Sequence, residues 1–236
     1  MSLKRHGIHF GADHDAILKN MAQRTGGMNN ADLEAMNSQF VRATGDEEPD
    51  RNKYMNTLDE FRFGEVNKMD PAHLRQTACH EAGHALVCRL CGTTPSFLTI
   101  VSRGNYGGFM EFAGEANKST YTFDELMDRV CRALAGRVAE VELYGKTAGI
   151  NTGASSDIRS ARYYVKSSLL DYAMGDRLYP GKIAEDAEEL LQKQYTRTGD
   201  MLKKYRNAHI ALTERLVAEK SLDQPQLEAF FTEIGI

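Results

Sequence analysis

Apolar residues recur at helical spacing over most of this chain, and two short runs break the rhythm. "DHDAILKNMAQRT" sets Ile17, Leu18 and Met21 on one face, and Gly26 and Gly27 stop it. Asn29 or Asn30 can cap a second helix, in which Leu33, Met36, Phe40 and Val41 recur. The polar connector "GDEEPDRNK" leads to a short amphipathic piece from Tyr54 to Phe63. Asp70 and Pro71 suit the cap and first turn of a long helix carrying His80 to Cys91 and ending at Gly92. "FLTIV" and "GGFMEF" read as strands, joined by the turn-rich "SRGNY". A helix from Thr122 to Tyr144 follows, with Leu126, Val130, Leu134 and Val138 on its buried side. "GKTAGINTGASSD" reads as a glycine-rich loop, and "IRSARYYVKSSLLDYAM" as the next helix. The stretch from "AEELL" to "LVAEK" reads as one charged amphipathic rod, and "PQLEAFFTEI" as a closing helix. The predicted fold is mostly α with one small β-sheet, and the break at "NKMDPAH" separates residues 1–67 from 68–236.

Composition narrows the class. Of 236 residues, 42% are hydrophobic and 26% charged, which is ordinary for a globular protein. The net charge of −4, without a dense Lys/Arg block, argues against nucleic acid as a partner. The sequence holds no apolar run of membrane-spanning length, and its first residues turn polar at once. Four unevenly spaced cysteines do not make a secreted disulfide framework, so a reducing, intracellular compartment is expected.

The chemistry concentrates in "TACHEAGHALVCRLC". On a helix, His80 and His84 project from one side, one turn apart, so two imidazoles can share a tetrahedral zinc ion. Glu81 then stands beside the water such an ion would activate, placed as general base and later as acid. Two exposed histidines on an ordinary helix are the plainer reading. The apolar flanks Ala78, Ala85, Leu86 and Val87 oppose it, because buried histidines need partners. A catalytic zinc takes three protein ligands. Val87 and Leu90 stand where the metzincin extension requires Gly and His, so the third ligand lies further along. Spacing leaves Glu111, Glu140, Glu142 and Asp157 open, and Asp157 could equally favour a helix N-terminus.

Two decoys are set aside. Cys88 and Cys91 form a lone CxxC, with Cys79 and Cys131 elsewhere, and small apolar packing is the commoner fate of such residues. "GKT" at Gly145 to Thr147 lacks the earlier glycine of a phosphate-binding loop, because Glu140 occupies that place.

Taken together, "HEAGHALV", "ALAGRVAEVELYG", "NTGASSDIRSAR" and "LTERLVAEKSLDQPQLEAF" resemble the peptidase domain of the FtsH-type ATP-dependent zinc metalloproteases, over nearly all of residues 70–234. The resemblance implies a zinc endopeptidase in which Asp157 completes the site with His80 and His84, and Glu81 is catalytic. Glu140 is implied to support the site rather than bind the ion. "HDAILKNMAQRTGGMNNADLEAMNSQFVRAT" is similar to the helical lid of the family's AAA ATPase module, which implies an AAA-lid subdomain over 1–67 and the peptidase over 68–236. Walker motifs and membrane segments are then expected upstream. The full-length protein is expected as a homo-hexamer on a bacterial inner membrane, facing the cytoplasm, or on an organelle membrane, acting on unfolded polypeptides. Gly107, Gly108 and Phe109 are expected to begin an edge strand to which substrate adds. The chain departs from the family at "GNYGGFMEF", in the short region after "DYAMGDRLYPGK", at Val141, and at Asn29 and Asn30 in the lid. An inactive adaptor with the same fold would be expected to lack a ligand or the base, and none of the four residues is missing.

Overall fold

The computed structural model describes residues 3, 6–11, 14–25, 28–68, 70–104, 107–113, 118–175, 178 and 181–236. Its contacts divide the chain into two units, Met1–Met69 with Val101–Gly107, and Asp70–Ile100 with Gly108–Ile236.

The first unit holds helices α1 (His14–Arg24), α2 (Asn30–Thr44) and α3 (Arg51–Phe63). Asn29 caps α2 through a reciprocal pair with Asp32, and Asp50 caps α3 by accepting the Lys53 N–H. Ile17, Met21, Met36, Phe40, Tyr54 and Leu58 form its core. Tyr54, edge-on to Phe40, donates its buried hydroxyl to Asn37 at 2.6 Å, so the phenol is satisfied within this core. Arg24, almost fully buried, pairs with Asp59. Val101–Gly107 joins this unit through an antiparallel bridge between Val66 and Arg103, and Asn67 donates to the Gly104 carbonyl at 2.8 Å. Gly26 and Gly27, expected to stop α1, and Asn105 and Tyr106 of the expected turn lie outside the described residues.

The second unit is mostly helical. Its elements are α4 (Pro71–Leu90), β1 (Thr94–Thr99), β2 (Phe109–Ala113), α5 (Phe123–Gly149), α6 (Ser155–Leu170), α7 (Ile183–Lys204), α8 (Arg206–Glu219), β3 (Ser221–Asp223) and α9 (Gln224–Glu233). Helix α4 is buried on nearly every side along Ala78–Cys88, with apolar residues around His80, Glu81 and His84. It packs on α5, α8 and β1. A Cβ at Gly83 would lie 2.5 Å from Ala139 Cβ, so glycine is what lets α5 approach between the two histidines of α4.

The sheet is antiparallel, in the order β2-β1-β3. Leu98 pairs with Met110 on one side and Leu222 on the other, which sets the register by apolar matching. The first strand begins three residues before the expected "FLTIV" and ends at Thr99. Its extension includes Pro95, which is accommodated by a register shift between Pro95 and Phe97. Three further differences concern the helices. The GKTAG segment is not all loop: Gly145, at φ 76° and ψ 168°, breaks α5 at a kink, and a further helical turn runs from there to Gly149. The expected single rod is two helices, broken at Tyr205, whose φ of −109° and ψ of 30° leave the helical region. Ser221–Asp223, between the expected rod and the expected closing helix, is a third strand.

Candidate metal centre

Three elements converge on one point. Helix α4 presents His80 and His84 one turn apart, and the first turn of α6 presents Asp157. Helix α5 stands behind them. Gly136 on α5 makes room for the imidazole: a Cβ there would lie 2.4 Å from His80 ring atoms.

The outer nitrogen of each ring is occupied. His80 Nδ1 donates to Glu140 Oε1 at 2.6 Å, and His84 Nδ1 donates to the Arg132 carbonyl at 2.7 Å. Because carboxylate and carbonyl oxygens only accept, these bonds place the ring protons on Nδ1 and turn both Nε2 atoms inward. The inward atoms are 3.0 Å apart, and Asp157 Oδ2 lies 3.0 Å from His80 Nε2 and 3.4 Å from His84 Nε2. Ligands around a tetrahedral zinc with bonds near 2.05 Å stand about 3.3 Å from one another. The observed triangle matches that spacing, and two imidazole nitrogens with a carboxylate form a donor set suited to zinc. Among the described residues this is the cluster in which three such atoms converge.

Charge reinforces the geometry. Burial disfavours the charged form of His80, yet its bonds to Asp157 and Glu140 outweigh that, pushing it up to about 10. A metal ion bound at this position would have to displace the proton so held. Burial also acts against ionised Asp157, but its bonds to His80 and His84 hold its carboxyl well below the usual range. Glu81 is buried at 7% exposure, and that burial raises its carboxyl against the pull of His80 and His84. Such a carboxyl is better matched to proton transfer near neutral pH than an exposed one.

The other residues singled out from sequence fall apart from this point. Glu142 faces Lys203 at 3.5 Å, and Glu111 lies on β2 opposite Phe97. Glu140 reaches His80 on its outer nitrogen, not the inner one. Cys79, Cys88 and Cys131 are core residues, and Cys88 donates to the Thr93 carbonyl. Gly108 places its backbone against Glu81: a Cβ there would lie 3.0 Å from Glu81 Cγ and 2.8 Å from the Thr99 carbonyl oxygen. Phe109 opens β2, an outer strand of the sheet, while Gly107 groups with the first unit.

Sequence reading missed the supports. Gln76 Nε2 donates to Glu140 Oε2 at 2.9 Å, Asn151 Nδ2 donates to the same oxygen, and Gly136 cradles His80. Helical spacing could have found two of these, because Gln76 precedes His80 by one turn and Gly136 precedes Glu140 by one turn. Asn151 lies in a loop and has no such signal. Gly136→Ala is expected to push the His80 ring off Asp157 despite alanine's better helix propensity. A changed His80 Cε1–H chemical shift in the metal-free protein would show it, and an unmoved signal would contradict the tight fit.

Comparisons with known proteins point the same way. The description of peptidase family M41 matches residues 67–189. The chain is 31% identical over 196 aligned positions to ATP-dependent zinc metalloprotease FtsH 1 of Thermoanaerobacter sp. (strain X514), covering 80% of this chain and 32% of that protein. It is 31% identical over 249 positions to ATP-dependent zinc metalloprotease YME1L of Drosophila melanogaster, covering 93% and 34%. With ATP-dependent zinc metalloprotease FtsH of Lactococcus lactis subsp. lactis (strain IL1403) the identity is 26% over 263 positions, covering 97% and 37%. The chain thus spans about a third of the length of the curated relatives it matches.

Proposed function

This chain belongs to peptidase family M41, and we propose that its second unit is a zinc-dependent endopeptidase in which His80, His84 and Asp157 hold the ion. The observation that carries this reading is the meeting of three atoms of metal-binding type, two of them aimed inward by bonds on the far side of their rings. Zinc held there would supply a Lewis acid that activates water and polarises the scissile carbonyl. Glu81 takes the proton of the attacking water and delivers it to the departing amine. Its burial keeps bulk water away from that transfer. His80 and His84 are held in one tautomer by Glu140 and the Arg132 carbonyl, so neither ring turns during the reaction. An extended substrate adds to the outer side of β2, and Gly108, in contact with Glu81, brings that strand to the catalytic carboxylate.

The first unit is proposed as the helical lid of an AAA module, by its resemblance and its position before the peptidase. No helix of the described residues is long and apolar enough to cross a membrane. ATP dependence is proposed for a longer protein, on the strength of the names its relatives carry; membrane anchoring and a homo-hexamer are proposed from the family resemblance alone. Unfolded polypeptides are the proposed substrates.

Removing the metal tests the chemistry. Cleavage of an unfolded, fluorescently labelled polypeptide is expected to stop with a strong chelator and to return on adding about one equivalent of zinc per chain. Cleavage that survives demonstrated removal of zinc would sink the proposal.

A further inference from the structure

The bonds around Asn151 join two parts of the centre that lie on different elements. Its Nδ2 donates to Glu140 Oε2, the second oxygen of the carboxylate that holds His80. Its Oδ1 accepts the Gly153 N–H at 2.7 Å, closing the turn that leads into α6 and Asp157. Its backbone carbonyl accepts from Arg137 Nη2, which fixes the residue itself to α5. Two glycines make room for this arrangement. A Cβ at Gly149 would lie 2.6 Å from the Glu140 carbonyl oxygen, and one at Gly153 would lie 2.9 Å from Asn151 Oδ1.

From this geometry we infer that Asn151 is a positioning residue that sets Asp157 relative to His80, a role that rests on the zinc site proposed above. Only a side chain with both a donor and an acceptor can do this, because Glu140 accepts and the Gly153 N–H donates. Gln76 donates to the same Glu140 oxygen but has no bond to the turn, so it secures His80 alone. Without Asn151, Glu140 keeps one of its two amide donors, but the turn carrying Asp157 is released from the carboxylate behind His80. The triangle of donor atoms then loosens on its Asp157 corner.

The test compares the full chain with Asn151→Ala, Asn151→Ser and Gln76→Ala. Zinc affinity is measured by competition with a chromophoric chelator, the cobalt(II) absorption band reports coordination, and thermal unfolding is followed without metal. Asn151→Ala is expected to weaken zinc about 10- to 100-fold, the range for loss of a bond behind a ligand. It should also alter the cobalt band, with little change in the metal-free midpoint. Gln76→Ala is expected to weaken zinc less and to leave the band unchanged. The serine hydroxyl can still close the turn but is too short for Glu140, so Asn151→Ser should fall between parent and alanine. It decides the matter by the same criteria if the alanine variant does not fold. Zinc affinity within twofold of the parent, or a fallen metal-free midpoint with an unchanged cobalt band, would overturn the role. A parent chain that takes up no zinc would instead overturn the zinc site, and the role with it.

Discussion

Glu81→Gln is expected to keep its zinc and to lose about 10²- to 10⁴-fold in kcat for peptide cleavage, the usual worth of a general base. Glutamine matches glutamate in shape and fills the same buried space, so the packing of α4 on α5 is preserved. It cannot accept a proton from water, and it carries neither the negative charge nor the second acceptor oxygen of the carboxylate. His80, His84 and Asp157 do not depend on Glu81 for their mutual distances, since their bonds run to Glu140, to the Arg132 carbonyl and to one another. The loss should therefore appear in kcat with little change in KM, as it does when an interaction made only in the transition state is removed. Single-turnover cleavage of a fluorogenic peptide, with zinc measured on the same sample, reads both quantities. Activity within about threefold of the parent would move the base elsewhere; a fall in zinc would make Glu81 a structural member of the site instead.

Asp157→Ala is expected to reduce bound zinc from about one per chain to a small fraction after dialysis, because two imidazoles alone do not complete a stable site. Cleavage should fall in proportion to the zinc lost. The variant leaves α6 without its first-turn carboxylate, at a cost of about 0.3–1 kcal/mol from the helix dipole, so the fold should survive. Circular dichroism on the metal-free variant separates that small effect from the loss of metal. If the variant keeps its zinc, the third ligand is another residue, and Glu140, already bonded to His80, becomes the first to try.

The helices of this chain were legible wherever an apolar stripe and a capping residue agreed, as in α2 with Asn29 and α5 with Thr122. Boundaries failed where chain geometry departed from composition. Gly145 breaks α5 where expected, but a further helical turn follows it up to Gly149, and Tyr205 ends a helix with no glycine or proline to announce it. A three-residue strand such as Ser221–Asp223 has too few positions to show a period at all, and exists because β1 offers it a partner. In the site, His80, Glu81 and His84 could be read because they share one helical turn. Asp157 stood level with three glutamates until resemblance singled it out, since nothing local reports which carboxylate approaches from 77 positions away. The supports are further still from local pattern: Gln76 and Glu140 are 64 positions apart and meet only in the folded chain.

The loop between β1 and β2 has a practical consequence for anyone wishing to take this protein apart. Because Val101–Gly107 groups with the first unit, the polypeptide passes from one unit to the other after Met69, after Ile100 and after Gly107. Cleaving the backbone at the first of these junctions leaves residues 1–69 held to the other piece only by their non-covalent bonds to the 101–107 loop. Expressing residues 70–236 alone would strip Arg103 and Gly104 of their bonds to Val66 and Asn67, and would carry that damage along the loop to Gly108, which lies against Glu81. A clean dissection would replace the loop by a short hairpin turn rather than simply begin the gene later.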